Sequence, residues 1–437
     1  MSAQFLRHNQ RLRGKNGRPR VTAPRETQTA GSPPPSFSTR LRELATLFLK
    51  LGTISFGGPA AHIALLEEEI VRTRQWVTRQ QFLDMLGAAN LIPGPTSTEM
   101  AINVGFVRAG WAGLCVAGAS FIFPAALITG IFAWAYVRFG ALTQAVSVLG
   151  GIKAAVIAVI AIAIWRLGKT AVKDVWLAVL GGLSLAAFFF GVNPIAILFG
   201  GGLVGMLARR VTGFRDTGAL LFSTMVPRRA FVPRGAGGMR AFWLRSFGAV
   251  ALASAATGTV VARPSIPRIA LFFLKVGAVL YGGGYVLLAF LEQGLVQQHA
   301  WLTQQQLLDA VAIGQFTPGP VLSTATFIGY ILGGVPGASV ATVAIFLPSF
   351  FYVALLAPVL FRLRQSAWMA AFLDSVNVCA VALMAGVTFR LAVEAVRGWQ
   401  AGGIALLSLV VLLRWKVSPA WVVLGGGVVG LLLAAYR

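Results

Sequence analysis

The chain carries the same stretch twice. Residues 48–95 lie on residues 273–320 without a gap, and 19 of the 48 aligned positions are identical, where unrelated sequences would share roughly 3 or 4. The matches are not merely apolar. Lys50 falls on Lys275, Gly57 and Gly58 on Gly282 and Gly283, Glu67 on Glu292, Trp76 on Trp301, and Asp84 on Asp309. Pro93, Gly94 and Pro95 fall on Pro318, Gly319 and Pro320. A duplicated apolar unit interrupted by Gly and Pro is the sequence form of a secondary transporter.

Composition places that unit in a membrane. Of 437 residues, 57% are hydrophobic and 11% charged, against about 25% charged in soluble domains. Apolar runs occupy 111–137, 145–165, 175–192, 194–207, 335–361, 368–388, 404–413 and 422–435. About 20 apolar residues span the hydrocarbon, and shorter runs need a break or a thinner path. The expected fold is an all-α polytopic membrane protein of two homologous halves. A net charge of +24 would point to nucleic acid in a soluble protein. Here the basic residues cluster between apolar runs, where positive-inside topology and anionic headgroups account for them. Membrane lipid is therefore an expected partner and nucleic acid is not. Cys115 and Cys379 each sit in an apolar run and build neither a disulfide framework nor a metal site.

Residues 1–42 hold nine Arg and Lys against one acid, Glu26, together with Pro33, Pro34 and Pro35. They are expected to be a disordered cytoplasmic tail. A first repeat over 43–210, a basic linker over 211–267 and a second repeat over 268–437 follow. Within the linker, 246–262 is free of charge and is expected to be an extra crossing. Loop charges give the orientation. Arg72, Arg74 and Arg79 in one copy face an uncharged 297–304 in the other, and Arg166, Lys169 and Lys173 face Arg397 alone. Elsewhere the bias reverses, with Arg138 against Arg362 and Arg364, and Arg414 and Lys416 against none near Val192. The positive-inside rule then predicts inverted copies in the inner (plasma) membrane, with the N-terminus cytoplasmic.

Each copy divides alike. A short apolar helix (46–56, 270–281) stops at the Gly pair, and a helix carrying Glu67 or Glu292 follows. After a loop with Trp76 or Trp301, a second short helix (80–91, 304–316) runs into Pro-Gly-Pro. A third short helix and four longer spans complete the copy. The first pieces are expected to be re-entrant or discontinuous, which a membrane tolerates only beside protein or a wet cavity. Pro93 and Pro318 end a helix, while Pro95 and Pro320 suit the first turn of the next. That puts a new helix N-terminus at membrane depth, an anion site. Thr96, Ser97 and Thr98, and Ser323 and Thr324, add hydroxyl donors there, and the Gly pairs open further backbone N–H groups. Lys50 and Lys275 are expensive in apolar helices and are expected at the site, with snorkelling to the interface as the alternative. Glu67, Asp84, Glu292 and Asp309 are candidate proton or gating acids, or else caps and surface charges. No metal or cofactor is expected. With no Walker, H-E-x-x-H or G-x-S-x-G motif, an intramembrane enzyme is the weaker alternative class.

The run FLKLGTISFGGP over 48–59 and the Pro93-Gly94-Pro95 break, repeated in weaker form, resemble the chromate ion transporter family in its long two-domain form, over nearly all of 43–437. The resemblance implies a secondary transporter that exports chromate and confers chromate resistance. It implies sulfate as the lookalike anion, and the membrane potential or proton gradient, not ATP, as the energy source. A small inorganic oxyanion is the implied ligand; pairing with a second copy stays open. The family pattern maps onto Gly52, Ser55, Phe56, Gly57, Gly58, Pro59, Pro93, Gly94 and Pro95, and onto Lys275, Gly277, Gly282, Gly283, Pro318, Gly319 and Pro320. The second copy departs from the first, with Leu280 for Ser55, Gly284 for Pro59 and Gln315 for Asn90. The sharper anion contacts, Ser55 and Asn90 among them, are therefore expected in the first half. The residues alone support an inverted-repeat transporter of a small anion; chromate and sulfate are both tetrahedral dianions, so sulfate or another oxyanion remains the alternative substrate.

Overall fold

The computed structural model describes residues 36–56, 59–90, 92–140, 142–212, 264–281, 284–356, 367–396, 398–415 and 417–435. The 246–262 segment, the four glycines 57, 58, 282 and 283, and residues 1–35 lie outside them. The described residues are helical with no strand, in two sets of seven helices. The first set is α1 (Phe37–Ile54), α2 (Pro59–Glu67), α3 (Arg79–Ala89), α4 (Thr96–Phe139), α5 (Thr143–Ala171), α6 (Val175–Phe189) and α7 (Pro194–Thr212). The second is α8 (Ile266–Val279), α9 (Leu287–Leu291), α10 (Gln304–Phe316), α11 (Thr324–Leu356), α12 (Ala367–Ala395), α13 (Trp399–Arg414) and α14 (Pro419–Ala435). Four of them, α4, α5, α11 and α12, are long and apolar enough to cross a membrane, and α6, α7, α13 and α14 are shorter apolar helices. Trp111, Phe123, Leu183, Phe351, Leu406 and Leu413 stand exposed on these helices, as a lipid-facing surface requires.

Local chemistry sets the short elements. Helix α3 opens on a reciprocal cap: Gln81 N donates to Thr78 Oγ1 at 3.2 Å and Thr78 N to Gln81 Oε1 at 2.8 Å. Thr303 and Gln306 repeat it at the start of α10, at 3.1 and 3.0 Å. Such a box satisfies two orphan donors of the first turn. Both helices run into Pro-Gly-Pro, where Gly94 and Gly319 have φ of 146° and 86°, a region open to glycine at little cost. Helices α4 and α11 are each bent, at Ala109–Gly110 and at Gly333–Gly334. The short arm 96–108 therefore folds back on 111–139. Gly105 and Gly113 lie backbone to backbone across this fold, as do Gly329 and Gly337 across the second. The expected third short helix and four spans are thus present in each copy.

Packing is reciprocal between the halves. Helix α5 packs on α13 and α14 of the second half, and α12 packs on α6 and α7 of the first. Helices α4 and α11 pack on each other, as do α5 and α12. One boundary differs from the sequence reading. The first helix starts at Phe37, not after residue 42, so Arg40 and Arg42 belong to a helix, not to a tail. The cause is tertiary: Arg40 donates to the Arg108 carbonyl at 3.2 Å. Arg108 in turn holds Glu43 at 2.9 Å and lies over the Trp76 ring at 4.5 Å.

Candidate functional site

The Pro-Gly-Pro break of the first half opens onto a cavity of about 600 Å³. Asn90, Gly94 and Thr96 line it from the break; α5 contributes Ile162, Arg166 and Thr170, and α12 contributes Asp374 and Asn377. Lys173 stands at the rim, paired with Asp374 at 2.6 Å. Arg166 is exposed in the cavity and has no ion pair among the described residues. Thr96 Oγ1 donates to Asn90 Oδ1 at 3.3 Å, which fixes the loop across the break. Pro95 caps α4, so the helix's first amides stand at the cavity end, where an anion is favoured. The walls are mostly apolar, but a guanidinium and a helix N-terminus facing one cavity suit a small anion.

The other expected site residues divide. Asn90, Gly94 and Thr96 line the cavity, with Pro93 and Pro95 on either side of Gly94. Ser97 and Thr98 are buried and do not line it. The Ser55 side chain is also buried. Its carbonyl accepts from Gly319 N at 2.8 Å and lies 3.0 Å from His62 Nε2. The second Pro-Gly-Pro, Pro318 to Pro320, is thus docked on the end of α1, and a Cβ at Gly319 would stand 2.7 Å from Ala125 Cβ. Ser323 is buried nearby with its hydroxyl unpartnered. One helix N-terminus opens to this cavity, where the sequence reading expected two in one pocket.

The lysines are not where that reading put them. Lys50 pairs with Glu69 at 2.6 Å with its side chain 54% exposed, and Lys275 is exposed on α8. Neither lines the cavity. The sequence cue was a lone cation in an apolar helix, but Glu69, one helix away, satisfies Lys50. The candidate acids all have partners: Glu67 with Arg79 at 3.5 Å and Asp84 with Gln80 at 3.2 Å. Glu292, buried, faces Arg390 at 3.3 Å and accepts from Gln297 at 2.6 Å. Asp309, also buried, lies 3.1 Å from Lys153 Nζ and accepts from the Tyr136 hydroxyl at 2.9 Å. Sequence reasoning missed Lys153, Asp374, Asn377 and Glu99, and used Arg166 and Lys173 only as topology markers. One signal was available. Arg166 and Arg390 each stand 23 residues into their helices α5 and α12, so the arginine is itself a repeated feature.

Known proteins bear on this site. The model of a family described as "Chromate transporter" matches residues 42–206 and 267–431, one match to each half. The chain is 33% identical over 416 residues to the chromate transport protein of Cupriavidus metallidurans, covering 93% of this chain and 97% of that one. It is 30% identical over 414 residues to the chromate transport protein of Pseudomonas aeruginosa, covering 93% and 95%. The uncharacterized transporter YwrA of Bacillus subtilis is 32% identical over 169 residues, 36% of this chain and 93% of its own, the length of a single repeat. No solved structure matches.

Proposed function

Because the chain belongs to the chromate transporter family, with both halves matched, we propose that it is a secondary transporter that exports chromate from the cytoplasm through the cavity at the first Pro-Gly-Pro. Family membership supports a multi-pass membrane transporter. The observation that carries the substrate reading is Arg166, without an ion-pair partner among the described residues, in the same cavity as the N-terminus of α4. A tetrahedral dianion entering there exchanges water for charge-assisted hydrogen bonds from the guanidinium and neutral ones from the amides and the Thr96 hydroxyl. Lys173, held by Asp374 at the rim, adds positive potential along the entry path.

Direction follows from charge. The cavity lies beside 166–173, the segment that the positive-inside rule assigns to the cytoplasm, so this is a state open inward. The matching residues differ between the halves: Glu292 and Arg390 pair in the second, while in the first Glu67 is bound to Arg79 and Arg166 faces the cavity. Moving two negative charges out of a cell that is negative inside yields about 2.3 kcal/mol per charge per 100 mV, or roughly 4–5 kcal/mol per ion. Export and resistance then need no ATP. The test is chromate flux in everted vesicles from the plasma membrane with an imposed potential. Vesicles made positive inside accumulate chromate, and sulfate competes. Flux of sulfate with chromate excluded would replace chromate by sulfate as the substrate; no potential-driven flux of either would sink the reading.

A further inference from the structure

Glu99 is the one acid in the first turn of α4, and the site as described makes no use of it. Its side chain has no exposure, and neither carboxyl oxygen has a hydrogen-bond partner. It points at the Pro-Gly-Pro loop: a Cβ added to Gly94 would overlap both Glu99 Oε1 and Ser349 Oγ. Gly94 lines the oxyanion cavity, so the carboxyl group stands directly behind the loop that meets the anion. The groups facing Glu99 from neighbouring elements carry no positive charge. From α11 comes the Ser349 hydroxyl, fully buried and itself unpartnered. Beyond α8, the Tyr281 hydroxyl lies within electrostatic reach of Glu99 and of Tyr352, and Tyr352 donates to the Ala278 carbonyl at 3.1 Å. Thr98, the preceding residue of α4, is likewise buried with its hydroxyl unpartnered. No Lys, Arg or His stands within ion-pair distance of Glu99 among the described residues.

Two facts of electrostatics act on such a group. A carboxylate removed from water without a partner is costly, and taking up a proton removes that cost. The helix N-terminus opposes this by favouring negative charge, but the same N-terminus is where the oxyanion binds. An ionised Glu99 and a dianion would compete for one positive end across a single glycine. The second half lacks the arrangement: Thr324 stands four residues after Pro320 where Glu99 stands four after Pro95, and Ala125, not a serine, backs Gly319.

We propose that Glu99 is a proton-binding site coupled to the oxyanion, so that the transporter moves one proton together with each dianion. The inference rests on the transport reading above. The proton is taken from water on the side where the cavity is open, converts the carboxylate to the acid, and returns to water on the other side when the anion leaves. One net negative charge then crosses per cycle, so the membrane potential still drives export. By linkage, proton and anion must each tighten the binding of the other.

The experiment uses the full chain in proteoliposomes at zero potential and at a pH where chromate is the dianion, with a pH difference imposed across the membrane. Wild-type protein is expected to accumulate chromate on the alkaline side by about tenfold per pH unit, the ratio that one coupled proton sets. Glu99→Gln keeps the shape and cannot ionise. It is expected to equilibrate chromate while the pH difference produces no accumulation. A hydrophobic carbodiimide, which reacts with protonated carboxylic acids, supplies a reading on unaltered protein: modification at Glu99, with loss of flux, is expected. Wild-type protein that carries chromate with no response to the pH difference overturns the inference and leaves the transport reading standing. So does a Glu99→Gln variant that still accumulates chromate, or inhibition by the carbodiimide with Glu99 unmodified. Protein that moves no oxyanion at all overturns both.

Discussion

Replacing Lys153 with Met removes the cation from a pair that is almost entirely out of solvent. The side chains of Lys153 and Asp309 are 8% and 3% exposed, and Nζ lies 3.1 Å from Oδ1. At an effective dielectric of about 20, that separation corresponds to a gross attraction of roughly 5 kcal/mol. Desolvation of both ions cancels much of it, so the net worth of the pair is small. Breaking it from one side is another matter, because Asp309 is left with the Tyr136 hydroxyl alone. Stranding one buried charge costs about 3–5 kcal/mol. At the low end of the usual conversion, about 2 °C per kcal/mol for large domains, Lys153→Met should lower the apparent thermal midpoint in detergent by roughly 6–10 °C. Asp309→Leu should do the same. The double variant should recover most of the loss, since an apolar replacement of both partners is often neutral. The assay is a double-mutant cycle on purified protein, read by thermal unfolding. Single variants within about 1 °C of wild type, or additive losses in the double variant, would refute the reasoning.

Arg166→Ala should raise the chromate concentration for half-maximal flux by tenfold or more, since a hydrogen bond to a charged group contributes about 1.5–3 kcal/mol. Lys50→Ala should leave it unchanged, and equal shifts in the two would move the site toward Lys50. Thr96→Ala should weaken apparent affinity, whereas Ser97→Ala and Thr98→Ala should not; all three are read from saturation curves at matched protein level. Cysteines placed at 75 and 300 should label from opposite sides of the membrane with an impermeant reagent, and labelling from one side would end the inverted-repeat expectation. Asn377→Lys puts at the matching position of α12 the cation that α5 carries as Lys153. It should slow labelling of a cysteine at 163 inside the cavity, and unchanged labelling would show that this position does not govern closure.

Much of the framework was legible because it is dictated locally. Proline at 93 and 95 with glycine between fixes where one helix ends and the next begins, whatever surrounds it. The Thr78–Gln81 and Thr303–Gln306 caps are likewise written within four residues. The long spans followed from apolar length alone. The site was less legible because an apolar helix does not announce which face meets a cavity. Arg166 is near the end of α5, where a cation reads as a topology marker; only the packing of α5 against α12, α13 and α14 turns it into a site residue. Glu99 failed for a related reason. An acid in a first turn reads as an ordinary complement to the helix end, and its isolation becomes visible only when α11 brings Ser349 against it. Lys50 shows the opposite error. Its recurrence as Lys275 suggested a shared function, but recurrence preserved a place in the fold while Glu69 took up the charge.

Duplication with divergence bears on how the proposed exporter rests. In the second half, two buried acids meet cations: Glu292 with Arg390 and Asp309 with Lys153. For the cavity side to close in the same way, the first half would need the matching contacts. Glu67 and Arg166 are present to form one. The other has no counterpart, because the residue ten positions into α12 is the uncharged Asn377, where α5 has Lys153. The two halves are therefore unequal in charge at this position, even though the net worth of a buried pair is small. In the proposed transport cycle this structure is the state in which the second half's contacts are made and the first half's cavity is open. Under the proposed export, the open cavity leaves Arg166 and the α4 N-terminus available to the anion, whose own charge between them supplies the attraction that the missing ion pair does not.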